Sequence, residues 1–396
     1  MNIYQILSIL TCLSLVSLVA ACGENSEPTN DSNDASNATE GMDPDVVSDA
    51  TLTWSSAVRA LVETQCTGCH VTGGSAPFVF ETYGQVQAAA PAMLNAMESG
   101  RMPPWPADPG CRSYVGERVL ADEDTMMFRT WVEGGMPEGE PTEPIAVRVM
   151  PFEATARSTA NAPYTPDFGN QGDDYRCFVL DVEFPSATWV RGSTVEPDTQ
   201  VVHHVLVYAL DPQQAADAVR FDAESADEGY PCFGGPLPPS SSTGGGMMGS
   251  MGGGGIAEQV AIWVPGTLPN TLPDGMGVPV GAGDRLVMQI HYSSVGGEPA
   301  PDQTALLLDL TETPPELEVR TVPISIRDLN IPAGEDEVTF TTTLGNWSDE
   351  PAILSSLTGH MHLFGRSFEG KVIHPDGRET CGLSIPEWDF DWQLDG

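Results

Sequence analysis

Cys66-Thr67-Gly68-Cys69-His70 is the first stretch whose residue types and spacing can do chemistry. C-x-x-C-H is the attachment pattern of a c-type haem. Two thiols reach the two vinyl groups, and the next residue swings its imidazole under the iron. A redox dithiol or half of a zinc site would use the same cysteines. A zinc site needs a second ligand pair nearby, and none follows, so haem is the favoured reading. The sixth ligand expected for the iron is Met102, in GRMPPWPAD, where two prolines fix an extended loop. Methionine opposite histidine suits electron transfer. Met93 and Met97 compete, but their four-residue spacing reads as an ordinary helix face.

The chain has seven histidines. Beyond His70 they are His203, His204, His291, His360, His362 and His374. Five of these six lie in strand-like stretches: VVHHVLVY, RLVMQIHYSS and SSLTGHMHLFG. Neighbours in a regular strand point to opposite faces. His203 and His204 are therefore either one core and one surface residue, or a metal pair at a strand end or bulge where both rings turn the same way. His360 and His362 are two apart, so a strand puts both on one face. His374, in VIHPDG, reads as a surface residue at a turn. Neutral imidazole suits Cu, Zn, Fe and Ni. Five unrelated core histidines would each need a buried partner for their ring nitrogens.

The elements that must position these residues are of two kinds. TWSSAVRALVETQ, residues 53–65, reads as an amphipathic helix running into the C-x-x-C-H motif, and LADEDTMMFRTWVEGG as a helix stopped by Gly134-Gly135. Leu120, Met127 and Trp131 are placed to cover the haem. Downstream, short strand candidates such as YRCFVLDVEF and DRLVMQIHYS alternate with Gly/Pro turns, as in an antiparallel all-β architecture. Gly 41 and Pro 34 fit that reading, and 396 residues suit two or three domains. The net charge is −40 and Lys371 is the sole lysine. Such a surface repels nucleic acid and anionic headgroups. PLPPSSSTGGGMMGSMGGGGI reads as a flexible surface insertion; Met247, Met248 and Met251 in it are soft thioethers able to take Cu(I).

Residues 1–22 form a leader of signal-peptide length, ending in VAAC. It resembles a bacterial lipobox, with Cys22 lipidated, although no Lys or Arg precedes the apolar run. Residues 23–50 are acidic and Ser/Asn-rich, the composition of a disordered tether. The expected setting is the cell envelope of a bacterium, with a membrane held through the lipid. Export implies an oxidising compartment.

HHVLVYA, LVMQIHYSS and GHMHLFGRSF together resemble the three copper motifs of the copper type II, ascorbate-dependent monooxygenases, the family of peptidylglycine alpha-hydroxylating and dopamine beta monooxygenases. The resemblance covers about residues 150–396 and keeps the family's order of motifs. CGLSIPEWDFDWQ, residues 381–393, is similar to a stretch of bacterial members, and GRMPPWPAD to those with a cytochrome c unit in front. The resemblance implies a multidomain chain. A small all-α cytochrome c domain (51–140) would precede two antiparallel, jelly-roll-like β-sandwiches (150–300 and 301–396). It implies copper held by His203, His204 and His291 for electron transfer. A second copper would lie on His360 and His362, where O2 and a small-molecule or peptide substrate react. The family completes the second site with a downstream methionine. The sequence ends at Gly396 before one can be placed, so the second sandwich is expected to be incomplete. No catalytic residue beyond the metal ligands is expected. Cys177 and Cys232 flank the first histidine motif and are candidates for a disulfide; Cys381 is expected to need a cysteine further downstream, and Cys111 has no evident partner.

The leading expectation is a copper monooxygenase fed electrons through haem c by a donor protein or small reductant. The alternative is an exported, non-catalytic haem–copper carrier or copper-binding lipoprotein. A plain cytochrome joined to an adhesive sandwich leaves the ordered histidine motifs unexplained.

Overall fold

The computed structural model describes residues 52–389 except 73, 75, 77, 147–150, 171, 238–256, 323, 325, 327–328, 346–350 and 362–363. Cys22, the leader, the tether, His362 and the methionines of the Gly/Ser insertion lie outside the described residues.

The N-terminal unit is helical. A π-helical turn, Trp54–Val58, leads into α1 (Arg59–Gln65). The Thr53 hydroxyl caps it by accepting from the Ser56 N–H, and Ser56 returns the bond. Trp54, Val58, Leu61 and Val62 are all buried, the i, i+4, i+7, i+8 stripe of an amphipathic helix. α2 (Tyr83–Glu98) and α3 (Asp122–Glu133) close over them. α3 stops where the sequence signals it, at Gly134 and Gly135, the latter at φ 83°. Trp54, Phe128 and Trp131 form an aromatic centre with ring centroids 5.5–6.4 Å apart. Met93 is buried on the inner face of α2 and Met97 packs against the same cluster, as their helical spacing implied.

The rest is dominated by one β-sandwich. Its first sheet contains β1 (Ala156–Thr159), β3 (Thr188–Glu196), β7 (Asn270–Thr271), β8 (Met276–Val280), β10 (Ala305–Thr311) and β11 (Leu317–Glu318), ordered β1-β10-β3-β8-β11 with β7 on β3. The second contains β2 (Asp173–Val179), β4 (Val202–Leu210), β5 (Tyr230–Pro231), β6 (Glu258–Trp263) and β9 (Arg285–Ser293), ordered β5-β2-β9-β4-β6, antiparallel throughout. Because β10 is hydrogen-bonded between β1 and β3, the sandwich runs past residue 300, the boundary expected from the sequence. Val205, Val207, Met288 and Ile290 point inwards and meet Val190, Val195, Leu306 and Leu308 of the first sheet. Residues of opposite parity, Cys177, Tyr208, Leu210 and Val287, face outwards under α4 (Pro212–Glu224).

After β11 the described chain forms a single hairpin, β12 (Phe368–Ile373) with β13 (Glu379–Ile385). The stretch around His360 is not the strand its apolar character suggested: His360 and Met361 lie in irregular chain. A strand needs a neighbour for its N–H and C=O groups, and among the described residues of this segment pairing is confined to an isolated bridge at Thr358. His374 follows β12 at the start of a turn and is half-buried, its Nε2 2.7 Å from Thr380 Oγ1.

Two disulfides form, one within the sandwich and one between the loop after α2 and β13. Cys177–Cys232 forms as the sequence suggested. The expectations for the other two cysteines are corrected: Cys111 bonds Cys381, across 270 residues. Asp108 N–H donates to Ser384 O, and the Tyr114 hydroxyl donates to Gly382 O. The loop after Met102 thus packs against β13, which no local pattern announces. These bonds indicate an oxidising, extracytoplasmic setting. No helix of the described residues is long and apolar enough to cross a membrane.

Candidate metal centre

His204 and His291 are directly opposed in the β4–β9 ladder. On β4 the register steps from Val202, opposite Tyr292, to His204, opposite His291, so His203 is the extra residue of a bulge. By parity His204 and His291 face outwards, away from the sandwich core. The bulge turns His203 to the same side, which resolves the adjacency of the two histidines in favour of a shared site.

His203 Nδ1 and His291 Nδ1 each lie 3.3 Å from His204 Nδ1. One ligand atom from each of the three residues can be chosen so that all lie within 4.8 Å of one another. Two nitrogens each about 2.0 Å from a tetrahedral metal are themselves about 3.3 Å apart. Two edges of the triangle therefore already have ligand spacing, and the third is within 4.8 Å. His291 is 2% exposed, while His203 and His204 are half-buried.

Burial holds His204 well below the ordinary imidazole pKa, with His291, His203 and His360 adding like-charge repulsion. Burial, reinforced by His203, pushes His291 down to about 3. Both rings are thus neutral near pH 7, the form that ligates a metal. The group can hold a metal ion. His360, from the segment after β11, is exposed but within electrostatic reach of His204. It is not one of the three converging residues.

The strand on the other side of β9 supplies two residues that the sequence reading missed. Tyr175 of β2 is opposite His291 and stacks on its ring, 4.1 Å between centroids and 4° from parallel. Asp173, two residues back on the same face, places Oδ1 2.9 Å from His291 Nε2. Their period-2 spacing in DDYRCF is visible in the sequence; their proximity to His291 is not.

The C-x-x-C-H loop is docked on this same end of the sheet. Gln200, just before β4, donates from Nε2 to Gly74 O at 3.0 Å. Arg118 donates to Gly266 O, in the loop that follows β6, and its Nη1 lies 3.8 Å from Cys69 Sγ. A Cβ on Gly266, at φ 83°, would stand 2.7 Å from that sulfur. Cys66 and Cys69 form no disulfide. Burial, and then Cys69, pushes Cys66 up to about 12. His70 Nδ1 is 3.0 Å from Phe78 O, and its ring stacks on Phe80 at 4.3 Å. Burial lowers its pKa, against the bond to Phe78. Met102 is half-buried in the turn after α2, its N–H donating to Ala96 O.

No protein-family model matches this chain, and no curated protein matches it in sequence.

Proposed function

We propose that the chain is an exported, copper-dependent monooxygenase that hydroxylates a C–H bond of an organic substrate with O2 and receives electrons through a covalently bound haem c. The observation that carries this reading is the convergence of His203, His204 and His291 at the sheet end on which the C-x-x-C-H loop is docked.

The residues fit both groups. Two unbridged thiols stand three apart, and the bond from His70 Nδ1 to Phe78 O leaves Nε2 for the iron. Met102 would supply the other side-chain ligand to the iron. His203, His204 and His291 present imidazole nitrogens for copper, and His360 with His362 are assigned to a second ion. When bound, copper and haem supply the one-electron and oxygen chemistry. The chain's own part is placement. β4 and β9 fix the histidines by their register, and burial keeps the His204 and His291 rings unprotonated. Gln200 and Arg118 hold the helical unit against the metal end. Cys22 is the proposed lipid anchor, with the cell envelope as the location. The acidic surface disfavours nucleic acid as a partner.

One observation favours a second reading, a non-catalytic haem–copper carrier: among the described residues a single three-histidine group forms, and His360 stands outside it. Copper and haem per chain, measured on secreted, haem-matured protein, separate the two. Two coppers per haem with O2-dependent hydroxylation of a C–H substrate support the enzyme. One copper, rapid electron exchange with haem and no O2-dependent product support the carrier. No copper in folded, haem-loaded protein overturns both.

A further inference from the structure

We propose that Asp173 is a positioning residue for the metal centre: its carboxylate sets the tautomer of His291 so that Nδ1 presents a lone pair to the ion. The proposal rests on the metal-binding part of the reading above and not on the identity of the metal or on any reaction.

A neutral imidazole carries one proton on two nitrogens, and the partner of one nitrogen decides which is free to ligate. His291 Nε2 faces Asp173 Oδ1 at 2.9 Å, while Nδ1 faces His204 Nδ1 at 3.3 Å. A carboxylate only accepts, so Nε2 must carry the proton. Nδ1 is then unprotonated and aimed at His204. Without Asp173 the proton gains by moving to Nδ1, where it can be donated to His204, and the ligand atom is blocked. The ring cannot flip freely to escape, because it is buried and stacked on Tyr175. The two strand neighbours thus divide the work: Tyr175 fixes the plane of the ring and Asp173 the position of its proton. Both come from one face of β2, so a single register with β9 positions them together. Outer partners of this kind also make the ligand more basic and strengthen its hold on the metal.

A bland role is available to Asp173, satisfying a buried N–H, and the test must separate the two. Asp173→Asn keeps an acceptor oxygen at the same place and loses the charge; Asp173→Ala loses both. The first readout is long-range proton–nitrogen NMR of the imidazoles in metal-free protein. His291 should carry its proton on Nε2 in the wild type and in Asp173→Asn, and shift toward Nδ1 in Asp173→Ala. The second is binding of copper(II) alone, measured against a competing chelator. Asp173→Ala should weaken it about 10–100-fold, with Asp173→Asn between the two. Asp173→Asn is isosteric, so it reports even if the alanine variant does not fold. Wild-type tautomer and affinity in both variants overturn the proposal and leave the metal site standing. Failure of the wild type to bind copper(II) overturns the metal site and the proposal together.

Discussion

Gln200 is hydrogen-bonded to Gly74, with Nε2 3.0 Å from the carbonyl oxygen. The bond joins the loop that follows His70 to the segment that leads into His203, and so ties the two candidate redox motifs by one contact. Arg118 at Gly266 is a second tie to the same sheet end. Gln200→Ala should cost about 1 kcal/mol of docking. Gly266→Leu should be worse, because its side chain meets Cys69 and its backbone is left-handed. Hydrogen exchange should rise over residues 66–74 and 264–268 in both variants, while β4 and β9 stay protected. Unchanged exchange in Gly266→Leu would contradict the docking.

His204 is the middle member of the triangle, with both 3.3 Å edges. His204→Ala is expected to abolish metal binding or weaken it by more than about a hundred-fold, beyond the loss typical of an outer partner. His374→Ala, on the hairpin turn, should bind as the wild type does. Titration with a transition-metal ion checks both; equal affinity in the two variants would remove the site.

Cys111–Cys381 joins half-buried residues, whereas Cys177 and Cys232 are 0% and 2% exposed. Mild reduction should open the first and spare the second, as thiol access governs exchange. The double variant Cys111→Ser/Cys381→Ser should lose about 2–5 kcal/mol of local stability. Limited proteolysis should then cut within 105–118 and near β12–β13, where Trp105, Tyr114, Leu383 and Ile385 pack together. The sandwich should survive as a protected fragment.

Glu258 on β6 is held by Arg320 at 2.9 Å, yet burial raises its pKa above the ordinary 4.5. The folded state therefore binds this proton more tightly than the unfolded state does. Its stabilisation is complete below pH 4.5 and is lost as pH rises through the folded pKa. Glu258→Gln resembles the protonated form. Its stability relative to wild type should increase with pH across that window and then level off. Urea midpoints at a series of pH values decide; a difference that does not vary with pH would show that the carboxyl is not perturbed.

The sequence by itself determined what depends on near neighbours. The Trp54–Val62 stripe, the stop of α3 at Gly134, the alternation in β4 and β9 and the pairing of thiols with His70 are local in the chain, and periodicity or spacing exposes them. It also posed the choice for His203 and His204 between a core–surface pair and a shared metal site at a strand end or bulge, which the β4–β9 register then decided. Only the tertiary structure decided which residues meet. His291 reaches His204 across 87 residues, Asp173 reaches His291 across 118, and Cys111 reaches Cys381 across 270. Each meeting depends on strand order and register, and a one-residue slip reverses the face of every side chain. The segment around His360 shows the reverse case: its composition suits a strand, but strand structure needs a partner, and its own residues do not specify one.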